Sequence, residues 1–115
     1  MNRTSFLTHL SVVVALTCGG CGGEQCEDKI AAFVTSQDFV KQELRSPSTA
    51  KFPYYNDRGV TMTYVGECTH EIEGFVDAQN AFGTPIRHRY SVKVQNTRGT
   101  TTWTRIGQVR ILDNP

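Results

Sequence analysis

The sequence lacks an excess of either charge. It has 12 Lys and Arg against 11 Asp and Glu, a formal net charge of +1. That balance argues against a general nucleic-acid binder, which needs a strong basic surplus. An apolar run of membrane-spanning length is also missing. The stretch Phe6–Leu16 is interrupted by Thr8, His9 and Ser11 and falls short of the about 20 residues that a spanning helix requires. None of Ser36, Ser46, Ser48 and Ser91 lies in a G-x-S-x-G setting, so the strand-to-helix elbow of a serine hydrolase is absent. What the composition does contain, 38% hydrophobic and 20% charged residues, is that of a folded domain rather than a disordered chain.

The N-terminal segment reads as an address. Met1–Arg3 is a short, singly basic start, followed by the apolar Phe6–Leu16 and then small residues, which is the layout of a secretory signal over residues 1–20. The next residues, Ala15-Leu16-Thr17-Cys18-Gly19-Gly20-Cys21-Gly22-Gly23, resemble the lipobox of bacterial lipoprotein precursors. In that motif small residues precede a cysteine that receives a diacylglyceryl group. The resemblance implies lipidation at Cys21, which follows Gly19 and Gly20, with Cys18 as the alternative. Cys18 occupies a place where the family usually has Leu. Cys18 and Cys21 also form a C-x-x-C, a spacing found in redox and zinc sites, but its glycine setting at the end of an apolar run favours the anchor. Two acyl chains hold a protein firmly at a membrane where one does not. Gly22 after Cys21 would, in a Gram-negative cell, permit outer-membrane sorting. The expected location is therefore the cell envelope, lipid-anchored at the outer membrane or periplasmic face.

Removal of the signal leaves roughly 90 residues, a size that folds alone but buries little core. Residues 21–25 read as a Gly-rich lipidated tether and 26–115 as one α+β domain. Cys26–Arg45 is expected to be a helix. Glu27 and Asp28 suit its N-terminus, Lys41 and Arg45 its C-terminus, and Pro47 stops it. Ile30, Phe33, Val34, Val40 and Leu44 recur as one apolar stripe; Ser36 leaves open a break and a second, shorter helix. From Val60 the period changes to two. Four strands are expected, over Val60–Cys68, Glu71–Ala78, Ile86–Val94 and Trp103–Ile111, the last interrupted by Arg105 and Gly107. They form an antiparallel meander covered by the N-terminal helix.

Turning the second and third strands around Phe82 sets Ile72 opposite Val92 and Ala78 opposite Ile86. The other face then sets Asp77 opposite Arg87 and Glu71 opposite Lys93, so both faces agree. In the first hairpin Tyr64 is expected to cover Gly74. The helix and the first strand are both near 30 Å long. Cys68 thus returns to Cys26, and a Cys26–Cys68 disulfide is expected.

Two stretches, Ser46-Pro47-Ser48-Thr49-Ala50-Lys51-Phe52-Pro53 and Gly74-Phe75-Val76-Asp77-Ala78-Gln79-Asn80-Ala81-Phe82-Gly83, together resemble small bacterial and phage proteins that follow an export signal or membrane anchor. The resemblance implies a compact envelope unit and transfers no catalytic residue. Gln79, Asn80, Phe82 and Arg87 are the candidate binding residues. The competing reading is purely structural: Asn80 and Gly83 make the turn and Phe82 folds onto the core. His70, Glu71, Glu73 and His88 are the conceivable metal ligands, and His70 and His88 the bases for a serine triad. Glu71, Glu73 and Asp77 form a carboxylate row. Adjacent strand residues point to opposite faces, and Arg87, Arg89 and Lys93 stand ready to partner the acids, so no catalytic residue, metal or other cofactor is expected. The cations Arg87, Arg89, Lys93, Arg98 and Arg105 read as a solvated, ion-paired face or as a surface for an anionic partner. The expected function is a non-enzymatic envelope lipoprotein that binds an envelope protein, in an inhibitory or exclusion role. Alternatives are an enzyme with an unrecognised site and a structural part of an envelope assembly.

Overall fold

The computed structural model describes residues 24–112. The signal segment, both candidate lipidation cysteines (Cys18 and Cys21) and the start of the tether lie outside the described residues. Helix α1 covers Lys29–Lys41, a 3₁₀ turn covers Pro47–Thr49, and the strands are β1 (Thr61–Gly66), β2 (Thr69–Gln79), β3 (Pro85–Asn96) and β4 (Trp103–Ile111). The strands form one antiparallel sheet in the order β1-β2-β3-β4, an α+β arrangement. No helix among the described residues is long and apolar enough to cross a membrane.

Helix α1 is shorter than its sequence pattern at both ends. Asp28 is the N-cap, and its carboxylate accepts the Ala31 amide hydrogen at 3.0 Å, which starts the helix three residues after Cys26. At the other end the amides of Glu43 and Leu44 donate to the carbonyls of Val40 and Lys41. These tighter i→i+3 bonds unwind the segment before Pro47 is reached. There is no break at Ser36. Its hydroxyl donates to the Phe33 carbonyl at 2.7 Å inside a continuous helix.

The buried stripe differs from the one the spacing suggests. Ala32, Phe33, Ser36 and Val40 face the sheet, while Ile30 and Val34 are 48% and 56% exposed. The helix lies over β2, β3 and β4, and the small Ala32 and Ser36 allow a close approach. Its flank bearing Ile30 and Val34 projects beyond that contact. Ala32, Phe33 and Val40 join Ile72, Val76, Tyr90, Val92, Val94 and Val109 in the core.

The β2–β3 register follows the sequence pattern on both faces: Ile72↔Val92, Ala78↔Ile86, Asp77↔Arg87 and Glu71↔Lys93. The β1–β2 register does not. Tyr64 stands opposite His70, and Gly66 opposite Thr69. The cause is the turn: Glu67 and Cys68 have φ of 51° and 59°, the two positive values that a two-residue I′ hairpin demands. The strand therefore ends at Gly66, and the chain reverses earlier than the alternation implies. Gly74 is instead covered from β3. A methyl group at Gly74 would lie 3.0 Å from the hydroxyl oxygen of Tyr90, its cross-strand partner. An aromatic ring thus fills the space that the glycine leaves.

The disulfide joins Cys26 to Cys68 with Cα atoms 4.4 Å apart. Both cysteines are buried. The β1–β2 turn they brace is held further by the Cys68 amide donating to the Tyr64 hydroxyl at 3.0 Å and by the Asn96 amide donating to the Cys68 carbonyl at 2.8 Å. Trp103 Nε1 donates to Gln25 Oε1 at 2.8 Å at the same end. The β2–β3 turn lies at the other end of β2, about 35 Å away at the rise of a strand.

Candidate functional site

The end of the β2–β3 hairpin is built by one asparagine. Asn80 Oδ1 accepts from the amides of Phe82 at 2.8 Å and Thr84 at 3.0 Å. Its own amide donates to the Thr84 carbonyl at 2.9 Å, and the Gly83 amide donates to the Asn80 carbonyl at 3.0 Å. Gly83 sits at φ +83°, where a side chain would strain the turn. Asn80 and Gly83 thus make the turn, as the structural reading expects. Phe82 does not fold onto the core. It is 90% exposed, and its backbone is fixed by the Asn80 bond. Pro85 and a partly exposed Ile86 extend the apolar surface toward β3.

The hairpin is braced on its flank. Lys51 pairs with Asp77 through two backbone bonds, 2.8 Å from the Lys51 amide and 3.0 Å from the Asp77 amide. The Thr49 hydroxyl donates to the Ser46 carbonyl at 2.7 Å and accepts the Gln79 amide at 2.9 Å. The two stretches that carry the resemblance therefore meet in space. Together they line an open hollow of about 360 Å³ bounded by Ser48, Thr49, Lys51, Asp77, Gln79 and Pro85. Sequence reasoning picked out the hairpin but not Thr49 and Lys51 as its brace; the pairing of the two motifs was the available signal.

Arg87 lies at the base of the tip. Its Nε and Nη2 donate to the two carboxylate oxygens of Asp77 at 2.8 and 3.0 Å, and its guanidinium carbon lies 4.1 Å from the centre of the Phe75 ring. The paired hydrogen bonds from Arg87 hold the Asp77 carboxyl below its ordinary range, against the opposing effect of burial. Arg87 thus stiffens the hairpin, while Gln79 contributes an exposed side chain beside the tip.

The residues conceivable for catalysis do not gather. His70 is buried with Nε2 2.9 Å from the Cys26 carbonyl oxygen. That oxygen only accepts, so Nε2 carries the proton and donates. The ring sits between Tyr64 and Trp103 at centroid distances of 5.0 and 5.6 Å. His88 stands opposite Val76 and His70 opposite Val94, about 20 Å apart along the sheet, and Glu71 and Glu73 lie on the other face. Ser36 is inside the helix and Ser91 is opposite Glu73. Among the described residues no three His, Cys, Asp or Glu side chains form a metal-binding group. His88 lines a shallow hollow of about 130 Å³ with Glu43, Arg45 and Ile111. The cationic set is also divided. Arg98 lies in the β3–β4 loop, and Arg105 pairs with Val94 on the helix-side parity, so the five do not share one face. Tyr90 is buried without a hydrogen-bond partner for its hydroxyl, and burial pushes its pKa up to about 12.

Compared with known proteins, the chain matches no family model, no curated protein and no solved structure.

Proposed function

We propose that this chain is a non-enzymatic, lipid-anchored lipoprotein of a bacterial envelope that binds another envelope protein through its β2–β3 hairpin tip, as an inhibitory or exclusion module. The observation that carries this reading is Phe82, 90% exposed on a turn fixed by Asn80. A rigid aromatic gives up little conformational freedom on binding and buries a large apolar area. Such side chains anchor protein interfaces by entering a partner's pocket. The brace from Thr49 and Lys51 and the Asp77–Arg87 pair hold the hairpin in one shape before any partner arrives. The lipobox-like segment ending at Cys21 supplies the anchor in this reading. The tether enters beside Cys26, at the opposite end of β2 from Phe82, so the anchor leaves the tip unobstructed.

Two measurements test the proposal. Palmitate labelling of the full chain is compared with Cys21→Ser and Cys18→Ser; labelling lost in Cys21→Ser and kept in Cys18→Ser supports the anchor, whereas unchanged labelling in Cys21→Ser removes it. Crosslinking pull-down from membranes then compares wild type with Phe82→Ala and Arg87→Ala. A protein captured by wild type and lost with Phe82→Ala supports recognition at the tip, and full capture by both variants refutes it.

A further inference from the structure

The sheet has two edges of opposite character. β4 carries Arg105 and Arg110, and its pairing with β3 is irregular between Ser91 and Lys93, where Gly107 has φ +74°. Charges and bulges of this kind keep an edge from pairing with another chain. β1, Thr-Met-Thr-Tyr-Val-Gly, has no charge and no proline, and its pairing with β2 is regular from Thr61 to Tyr64, with one irregularity at its end between Tyr64 and Gly66. Thr61, Thr63, Tyr64 and Val65 are exposed. As an edge strand it turns half of its backbone N–H and C=O groups away from β2, and Thr61, Thr63, Tyr64 and Val65 are of types that favour strands.

A second feature lies on the same side. Helix α1 packs over β2, β3 and β4, and the chain between helix and sheet pairs with β2 at Lys51 on the edge where β1 sits. Between that connector and the helix runs a groove of about 440 Å³ lined by Ile30, Phe33, Val34, Phe52, Tyr54 and Tyr55. Ile30, Val34 and Tyr54 are all largely exposed. The uncharged edge and the apolar groove therefore face the same way.

We infer that β1 pairs antiparallel with β1 of a second copy of this chain, about a two-fold axis beside Thr63. The strand's own pattern selects this occupant. Centred on Thr63, Thr61 faces Val65 of the other copy, Met62 faces Tyr64 and Thr63 faces Thr63. This register rests on the regular stretch Thr61–Tyr64 and closes at Val65, where the pairing with β2 shifts, and it sets no like charges opposite each other because the strand has none. Facing residues must share a face of the sheet. The axis is therefore perpendicular to the sheet, and both helices lie on the same side of it. The two four-stranded sheets become one, and the Ile30–Val34 flanks turn toward each other across the axis. A single closed, self-complementary contact of this kind ends at a dimer, which leaves the charged β4 edges outward.

The test is sedimentation equilibrium of the full chain in density-matched detergent, comparing wild type, Thr63→Lys and, as a control on the opposite edge, Thr104→Lys. The wild-type mass is expected to rise with concentration toward two copies. Thr63→Lys places two cations across the axis and is expected to raise the dissociation constant about tenfold, whereas Thr104→Lys leaves it unchanged. Thr63→Cys is expected to give a two-copy product with a short thiol-to-thiol crosslinker, over the background of the chain without that cysteine. A single-copy mass throughout, equal association of Thr63→Lys and wild type, or disruption by Thr104→Lys instead would overturn the inference. If Thr63→Lys shows no cooperative melting transition, the Thr63→Cys crosslink decides: a product supports the β1 pair and its absence refutes it.

Discussion

Removing the Cys26–Cys68 disulfide gives the sharpest stability prediction. The bond closes a loop with a sequence separation of 42. In the chain-entropy model, a loop of that length stabilises the fold by about 4 kcal/mol at 25 °C, because the cross-link removes open conformations from the unfolded chain. That is a third or more of the stability of a typical small domain. The bond also pins Cys68 in a positive-φ conformation at the β1–β2 turn, so its loss loosens the turn as well as the loop. In the double variant Cys26→Ser, Cys68→Ser, at about 4–8 °C per kcal/mol for a domain of this size, the melting temperature should fall by about 15–30 °C. Thermal unfolding by circular dichroism, with and without reductant, measures it. Wild type in excess reductant should approach the double variant. A fall below about 5 °C, or a wild type indifferent to reductant, would refute the reasoning.

Four further substitutions probe three places in the fold. Tyr90→Phe removes a buried hydroxyl that has no partner and should leave stability unchanged or raise it by up to about 1 kcal/mol, whereas Gly74→Ala drives a methyl group onto that ring and should cost about 1–3 kcal/mol in chemical denaturation. Glu67→Asn places a residue tolerant of positive φ at a turn position now strained and should raise the denaturation midpoint, by about 0.5–1 kcal/mol of stability. Asp77 has a folded pKa held below its unfolded value of about 3.9 by Arg87. Its contribution is therefore present above that value and lost as pH falls through the folded pKa. The melting-temperature advantage of wild type over Asp77→Asn should be present at pH 7 and shrink progressively as pH falls below the unfolded value; an advantage undiminished in acid would contradict the pairing.

The central hairpin was legible in the sequence because two independent constraints coincide there. The register that pairs Ile72 with Val92 also pairs Asp77 with Arg87, and a slip by one residue would spoil both faces at once. The disulfide was legible from lengths together with the inward parity of Cys68, since a helix and a strand of similar span return the chain to its start. The first hairpin was not legible. Its turn uses Glu67 and Cys68 at positive φ in place of the Asn or Gly that announces such a turn, so the alternation ran past the true end of β1. Ile30 and Val34 misled for a different reason. Helical spacing marks which residues share a face, but the small Ala32 and Ser36 decide which flank sits against the sheet. At the candidate site, the turn role of Asn80 and Gly83 was readable from their chemistry. The exposure of Phe82 was not, because an apolar residue in a turn gives no sign of whether the core has room for it.

The most direct test of the proposed function places a photo-crosslinking amino acid at position 82 of the full chain, with position 101, in the loop at the far end of the domain, as the control. After irradiation of intact cells, position 82 should yield one discrete crosslinked envelope protein that position 101 does not. The Asn80→Ala background, which frees the turn, should weaken that product. No product at position 82, or the same products from both positions, would contradict recognition through the hairpin tip.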